Sequence, residues 1–175
     1  MTCIVGITRD GSVHMGADSC GSDDWSCTNV TNPKIFINGE FLIGGAGSFR
    51  LIDLLRFSLV VPAQSEKISD DAYMRTIFIT RVRKLLEENG YNQNNNEAGE
   101  FIVGYHGRLY SVQEDHAILN VPDWGYAIGL GEGAARGSLW TTRANPDIDH
   151  RLQIALEAAE VTTLSVRGPF VFAKN

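Results

Sequence analysis

Basic residues are few and scattered: 15 Lys and Arg stand against 21 Asp and Glu, for a formal net charge of −6. A chain that follows a phosphate backbone normally presents a basic stripe, and without one no nucleic-acid partner is expected. Long apolar runs are also missing. The longest candidate, around Phe57 to Pro62, falls far short of the ~20 residues a membrane-spanning helix needs, and no membrane partner is expected. The opening Met1-Thr2-Cys3-Ile4-Val5-Gly6 lacks the basic segment and apolar stretch of a secretory signal. Cysteine is sparse and odd in number, with Cys3, Cys20 and Cys27 free of C-x-x-C spacing. Reduced thiols in a cytoplasmic setting are therefore expected, with no disulfide or zinc framework. His14, His106, His116 and His150 show no metal-ligand spacing. Gly129-Leu130-Gly131-Glu132-Gly133 is not a dinucleotide fingerprint, because no βαβ unit surrounds it. Neither a metal nor a cofactor is expected.

What is present suits one globular domain. The 175 residues are 43% hydrophobic and 21% charged, close to ordinary averages and enough to bury a core. Residues 3–9 and Val13 to Ala17 flank Asp10-Gly11, and Lys34 to Ile37 and Phe41 to Gly44 flank Asn38-Gly39; both dipeptides are strong hairpin turns. Ser19 to Asn32 is a polar loop between the hairpins. Ser48 caps a helix carrying Leu51, Leu54, Leu55 and Leu59, which Pro62 ends. A second helix runs from Ser69-Asp70 to about Asn89, with Met74, Ile77, Phe78, Val82, Leu85 and Leu86 on one face and Gly90 as its stop. Tyr91 to Ala98 is an Asn-rich loop, and a third hairpin turns at His106-Gly107. A glycine-rich turn, Gly125 to Gly133, precedes a short helix; Asp147 caps a last helix carrying Leu152, Ile154, Ala155 and Ala158; Phe170 to Ala173 closes as a strand. Paired hairpins separated by paired helices point to stacked sheets between helix layers, since a doubly wound sheet would alternate single strands and helices.

Four segments carry chemistry in a common register. Met1-Thr2-Cys3-Ile4-Val5-Gly6-Ile7 opens the chain, Gly16-Ala17-Asp18-Ser19 ends the second strand, Lys34 begins the third, and Gly45-Ala46-Gly47 leads into the first helix. Together they resemble the proteasome β-subunit / HslV signature of the N-terminal-nucleophile (Ntn) hydrolases. There a mature N-terminal threonine is followed by a G-x-V-x-x-A-x-D-S strand end, a lysine on the next strand, and an Ala-Gly pair starting the first helix. The Thr2–Asp18 and Thr2–Lys34 spacings match. Ala46-Gly47 comes one residue early, which a shorter turn at Asn38-Gly39 would explain. Length and element order match over essentially the whole chain, best against the HslV branch. Singly, each residue has a plain meaning: an ordinary second residue, a turn aspartate, a strand-edge lysine, a tight strand-to-helix turn. Their joint spacing favours the chemical reading.

The resemblance implies an α+β fold, a four-layer αββα sandwich of two stacked, mainly antiparallel sheets, filled by residues 1–175 as a single domain. It implies that Thr2 becomes the nucleophile once Met1 is removed, which methionine aminopeptidase does before small residues. A threonine hydroxyl needs an adjacent base, and the freed α-amine, with a pKa of about 7.7–8.0, would be that base. Lys34 would lower the hydroxyl's pKa, Asp18 would hold Lys34, and the Gly47 N–H would bind the oxyanion. Gly45 and Phe49 would line a substrate pocket suited to an apolar side chain. Peptides or unfolded proteins would enter the chamber of a homo-oligomeric ring, and HslV-type peptidases work with a separate ATPase unfoldase. The chain departs from the pattern at Leu130, where the family has the serine of a Gly-Ser-Gly; Ser48 and Ser165 are candidate replacements. The Asp-x-x-Ser-Gly-Gly segment is missing, and its nearest match, Glu160 to Ser165, offers Glu160 and Thr162 as the acid. Two other readings stay open: an inactive scaffold or ring protein of the same fold, and an Ntn amidohydrolase acting on a small amide.

Overall fold

The computed structural model describes residues 2–22, 26–91 and 99–175. Strands β1 (Ile4–Arg9) and β2 (Ser12–Ala17) form the expected first hairpin, with Arg9 opposite Ser12. Its turn residues Asp10 and Gly11 take φ of 50° and 75°, the two positive angles a type I′ turn requires. Strands β3 (Cys20–Ser22) and β4 (Cys27–Asn29) form a small ribbon inside the segment expected to be a loop. The expectation of three reduced cysteines is corrected here. Cys20 and Cys27, at opposite ends of the two short strands, are disulfide-bonded with their Cα atoms 5.7 Å apart, within bridging range; Cys3 alone is free.

The second hairpin joins β5 (Ile35–Asn38) to β6 (Phe41–Gly47). Asn38 pairs with Phe41, so the turn residues are Gly39-Glu40, one position later than the sequence suggested. The Asn38 side chain ties down the end of helix α1 (Phe49–Phe57), its amide donating to the carbonyls of Leu55 (2.9 Å) and Leu59 (3.0 Å). Ser48 caps that helix as expected, accepting from the Arg50 N–H at 3.1 Å. The second helix starts at its Ser69 cap and runs as α2 (Asp70–Tyr73), a π-helical turn (Met74–Phe78) and α3 (Ile79–Glu88). The expected loop that follows lies largely outside the described residues. Strands β7 (Gly99–Tyr105), β8 (Arg108–Val112) and the short β9 (Ile118–Asn120) come next. Strand β10 (Tyr126–Ile128) occupies part of the expected glycine turn. Helices α4 (Glu132–Thr141) and α5 (Ile148–Thr162) and strand β11 (Val171–Lys174) complete the chain, with Asp147 capping α5 as expected.

Two antiparallel sheets result, ordered β10-β1-β2-β11 and β5-β6-β7-β8-β9. Strand alternation sorts their side chains into three buried layers. Cys3, Val5 and Ile7 face α4 and α5, packing on Leu139, Leu152 and Leu156. Ile4, Val13 and Met15 face the other sheet, meeting Leu42, Ile102 and Leu109. Phe41, Ile43, Phe101 and Val103 turn outward onto Leu51, Leu55, Phe78 and Val82 of α1–α3. The order is helix, sheet, sheet, helix: the αββα sandwich. On α5 the inward face carries Leu152, Ala155, Leu156 and Ala159, while Ile154 and Ala158, expected there, are half-buried. No described helix is long and apolar enough to cross a membrane.

Candidate active site

The site lies where the two sheets end side by side. Thr2 stands just before β1, an inner strand, and the Asp18 N–H extends the β1–β2 ladder to the Cys3 carbonyl at 3.2 Å. This places the Asp18 carboxylate beneath residues 2 and 3. Its Oδ1 accepts from the Cys3 N–H at 2.9 Å and from Lys34 Nζ at 2.9 Å, and its Oδ2 accepts from the Cys20 N–H at 2.9 Å. Lys34, immediately before β5 of the other sheet, also donates to the Cys20 carbonyl at 2.7 Å. Three of the residues singled out by spacing are thus buried together, Thr2 at 3% exposure, Asp18 at 1% and Lys34 at 2%.

Burial lowers the Lys34 pKa, and the Asp18 charge and hydrogen bond oppose that shift. The ammonium is therefore easier to deprotonate than a solvated lysine, yet held by a carboxylate that favours its charge. Cys3 is different. Burial, with a smaller push from the Asp18 charge, raises its thiol to about 12, so it is neutral at ordinary pH and not a nucleophile.

A cleft of about 300 Å³ opens at Thr2, lined also by Ala46, Gly47, Gly99, Glu100, Glu114, Gly129, Leu130 and Glu132. Gly47 ends β6 with φ 102°, an angle side-chain-bearing residues avoid. Gly45 and Phe49 do not line this cleft. Gly45 is buried, and a Cβ on it would sit 2.8 Å from Ile52; Phe49 is 37% exposed at the start of α1. Leu130 is on the cleft and 61% exposed. Neither Ser48, which caps α1, nor buried Ser165 lines it. Glu160 accepts from the Gly168 N–H and Thr162 donates to the Ala158 carbonyl of its own helix, so both are engaged away from Thr2. Met1 lies outside the described residues.

Glu100, Glu114 and Glu132 were not singled out by sequence reasoning. They come from β7, the β8–β9 connection and the first residue of α4, and no local pattern links them. Gly129 was noted only as part of a glycine run. Its φ is 88°, and a Cβ there would press on the Thr2 carbonyl oxygen. Its N–H donates to Glu100 Oε1 at 3.0 Å, and the Gly131 N–H reaches the Thr2 carbonyl at 3.4 Å. Gly129→Ala is expected to cost about 1–3 kcal/mol from the backbone alone and to push Thr2 out of place. In a domain of this size Tm moves by about 2–4 °C per kcal/mol. Gly137→Ala, inside α4 with open space around it, should instead gain about 0.5–1 kcal/mol. Thermal melts of the two variants moving in the same direction would contradict this description of the Gly129 turn.

No protein-family model and no curated protein matches the chain by sequence. Solved structures do. BPH from Thiobacillus denitrificans superposes with a TM-score of 0.82 at 17% identity, over 99% of this chain and 97% of that one. The same protein in complex with epoxomicin gives 0.83 at 18%, over 99% and 98%. HslV from Trypanosoma brucei gives 0.73 at 17%, over 99% and 98%, and Anbu (ancestral beta-subunit) from Yersinia bercovieri gives 0.70 at 13%, over 100% and 81%. The fold is the proteasome-like Ntn-hydrolase fold.

Proposed function

We propose that the chain is a threonine-type peptidase subunit of a proteasome-like ring, with Thr2 as its nucleophile after removal of Met1. One observation carries this reading. The Asp18 carboxylate ties the Cys3 N–H, the Cys20 N–H and the Lys34 ammonium together under Thr2. A buried ion pair contributes little net stability by itself, whereas here it fixes the start of the chain beside an open cleft.

In the proposed course, Thr2 Oγ attacks the scissile carbonyl carbon while its proton passes to the Thr2 α-amine. The Lys34 charge favours the developing alkoxide, and the Gly47 N–H receives the oxyanion. Collapse breaks the C–N bond, the α-amine returns the proton to the leaving amine, and an ester on Thr2 remains. Water, deprotonated by the same amine, then hydrolyses the ester and regenerates the hydroxyl. No cofactor is needed. Asp18 is a positioning residue.

Apolar side chains left in solvent support assembly with further copies: Phe57 and Val60 near the end of α1, and Val161 and Leu164 near the end of α5, are each at least 72% exposed. A ring, its unfolded-protein substrates and a separate ATPase unfoldase belong to the same proposal. So does a cytoplasmic location, where methionine aminopeptidase would expose Thr2. One observation favours the alternative of an inactive scaffold: Leu130 places a hydrocarbon side chain on the cleft. The discriminating experiment is intact mass of the purified chain together with turnover of fluorogenic peptides. Loss of Met1 with measurable hydrolysis supports the peptidase, and quantitative retention of Met1 sinks it.

A further inference from the structure

The inner face of β7 carries a residue out of keeping with the layer it belongs to. Side chains alternate along a strand, so Glu100 shares its face with Ile102, which packs between the two sheets. Glu100 is half-buried at the end of that layer, where a carboxylate needs a hydrogen-bond donor. It finds the Gly129 N–H at 3.0 Å. That donor belongs to Gly129-Leu130-Gly131, a turn whose side chains hold no polar atom. The turn therefore cannot anchor itself by a side-chain hydrogen bond of its own, and Glu100 reaches it from the other sheet.

The turn bears directly on Thr2. The Gly131 N–H reaches the Thr2 carbonyl at 3.4 Å. A Cβ on Gly129 would press on that same carbonyl and stand 3.3 Å from the Ala46 Cβ. Glu100 pairs with Ala46 across the β6–β7 ladder, and Gly99 pairs with Gly47. One carboxylate thus joins the strand that ends at Gly47 to the turn that rests on Thr2. Thr2 leads into one sheet and Gly47 ends a strand of the other, so their separation depends on ties that cross between the sheets. The Lys34–Asp18 pair is such a tie on the β2 side of Thr2. The Glu100–Gly129 bond is another on the β10 side, because β10 and β2 flank β1.

We propose that Glu100 is a positioning residue of the active site: through Gly129 it holds the 129–131 turn against Thr2 and so sets the distance from the Thr2 hydroxyl to the Gly47 N–H. The inference rests on the peptidase reading and adds to it a residue that acts on the nucleophile through the backbone. What the role requires is the Oε1 acceptor at the right reach. The negative charge is incidental to it.

Three substitutions separate reach from charge. Glu100→Ala is expected to lower kcat on a fluorogenic peptide about 10- to 100-fold with KM within about threefold, as for a nucleophile displaced by about an ångström. Glu100→Gln keeps an acceptor oxygen at the same reach and should stay within about threefold of the parent. Glu100→Asp keeps the charge but withdraws the acceptor by one methylene, and should follow Glu100→Ala. Val82→Ala, a truncation in the α1–α3 layer away from the site, controls for lost stability: its Tm should fall and its kcat should not. Parental kcat in Glu100→Ala or Glu100→Asp, or a Glu100→Gln as impaired as Glu100→Ala, overturns the inference. So does an equal fall of kcat in Val82→Ala. A second arm is independent of turnover: hydrogen–deuterium exchange, read by mass spectrometry over residues 126–134. Exchange there should be about tenfold faster in Glu100→Ala and close to parental in Glu100→Gln; unchanged exchange in Glu100→Ala overturns the inference. That exchange pattern in a parent protein that cleaves no peptide would sink the peptidase reading and leave the Glu100 brace standing.

Discussion

Thr2→Ala is expected to lower kcat/KM on any cleaved peptide by about 10⁴-fold or more, the scale seen when a nucleophile is deleted from a preorganised site. The fold should survive, because the ties that hold this corner run through backbone groups. The Cys3 N–H to Asp18, the Asp18 N–H to the Cys3 carbonyl and the Gly131 N–H to the Thr2 carbonyl are all untouched by the change. Thr2→Ser separates chemistry from packing: it keeps the hydroxyl and should stay within about 10²-fold of the parent, as a repositioned rather than missing nucleophile. Equal rates for Thr2→Ala and the parent would place the nucleophile elsewhere. Cys3 is a poor substitute, since burial keeps its thiol protonated.

Lys34→Met is expected to give a large stability loss. Its side chain is 1% exposed and that of Asp18 0%, so removing the ammonium strands a carboxylate in the interior. Such a broken pair costs about 3–5 kcal/mol, or about 6–20 °C in Tm for a domain of this size. Adding Asp18→Asn should recover only part of it. Asp18 accepts from the Cys3 N–H on one oxygen and the Cys20 N–H on the other. An asparagine supplies one acceptor and turns an NH₂ toward the second donor. Activity should not return with stability in the double variant. That split distinguishes a lysine that acts on Thr2 from one that merely fills the core, and urea or thermal unfolding alongside peptide turnover measures it. Recovered activity in the double variant would make Lys34 structural only.

Much of this architecture was legible along the chain, for reasons that can be named. Asp10-Gly11 and His106-Gly107 adopt the paired positive φ angles that their residue types favour, and Ser48, Ser69 and Asp147 cap the helices they precede. The spacing of Thr2, Asp18 and Lys34 anticipated a real convergence, because a hairpin and one further strand suffice to bring them together. What stayed hidden lacked local pattern. Strands β3, β4, β9 and β10 have three residues each, too few for a period-two signal. Without that ribbon the Cys20–Cys27 bridge could not be inferred. Asn38 looked like a turn residue, yet its side chain serves a helix end brought near only by tertiary packing. The carboxylates at the cleft are single residues from three separate segments. Gly45 packs closely against Ile52, where a Cβ would meet that side chain at 2.8 Å.

The most direct test of the account is the mass of the purified protein after incubation with epoxomicin, followed by peptide mapping of the adduct. The account predicts a chain lacking Met1 that gains one inhibitor, with the modification on Thr2 and absent from Thr2→Ala. A processed chain that stays unmodified, or an adduct mapped to any other residue, would contradict it.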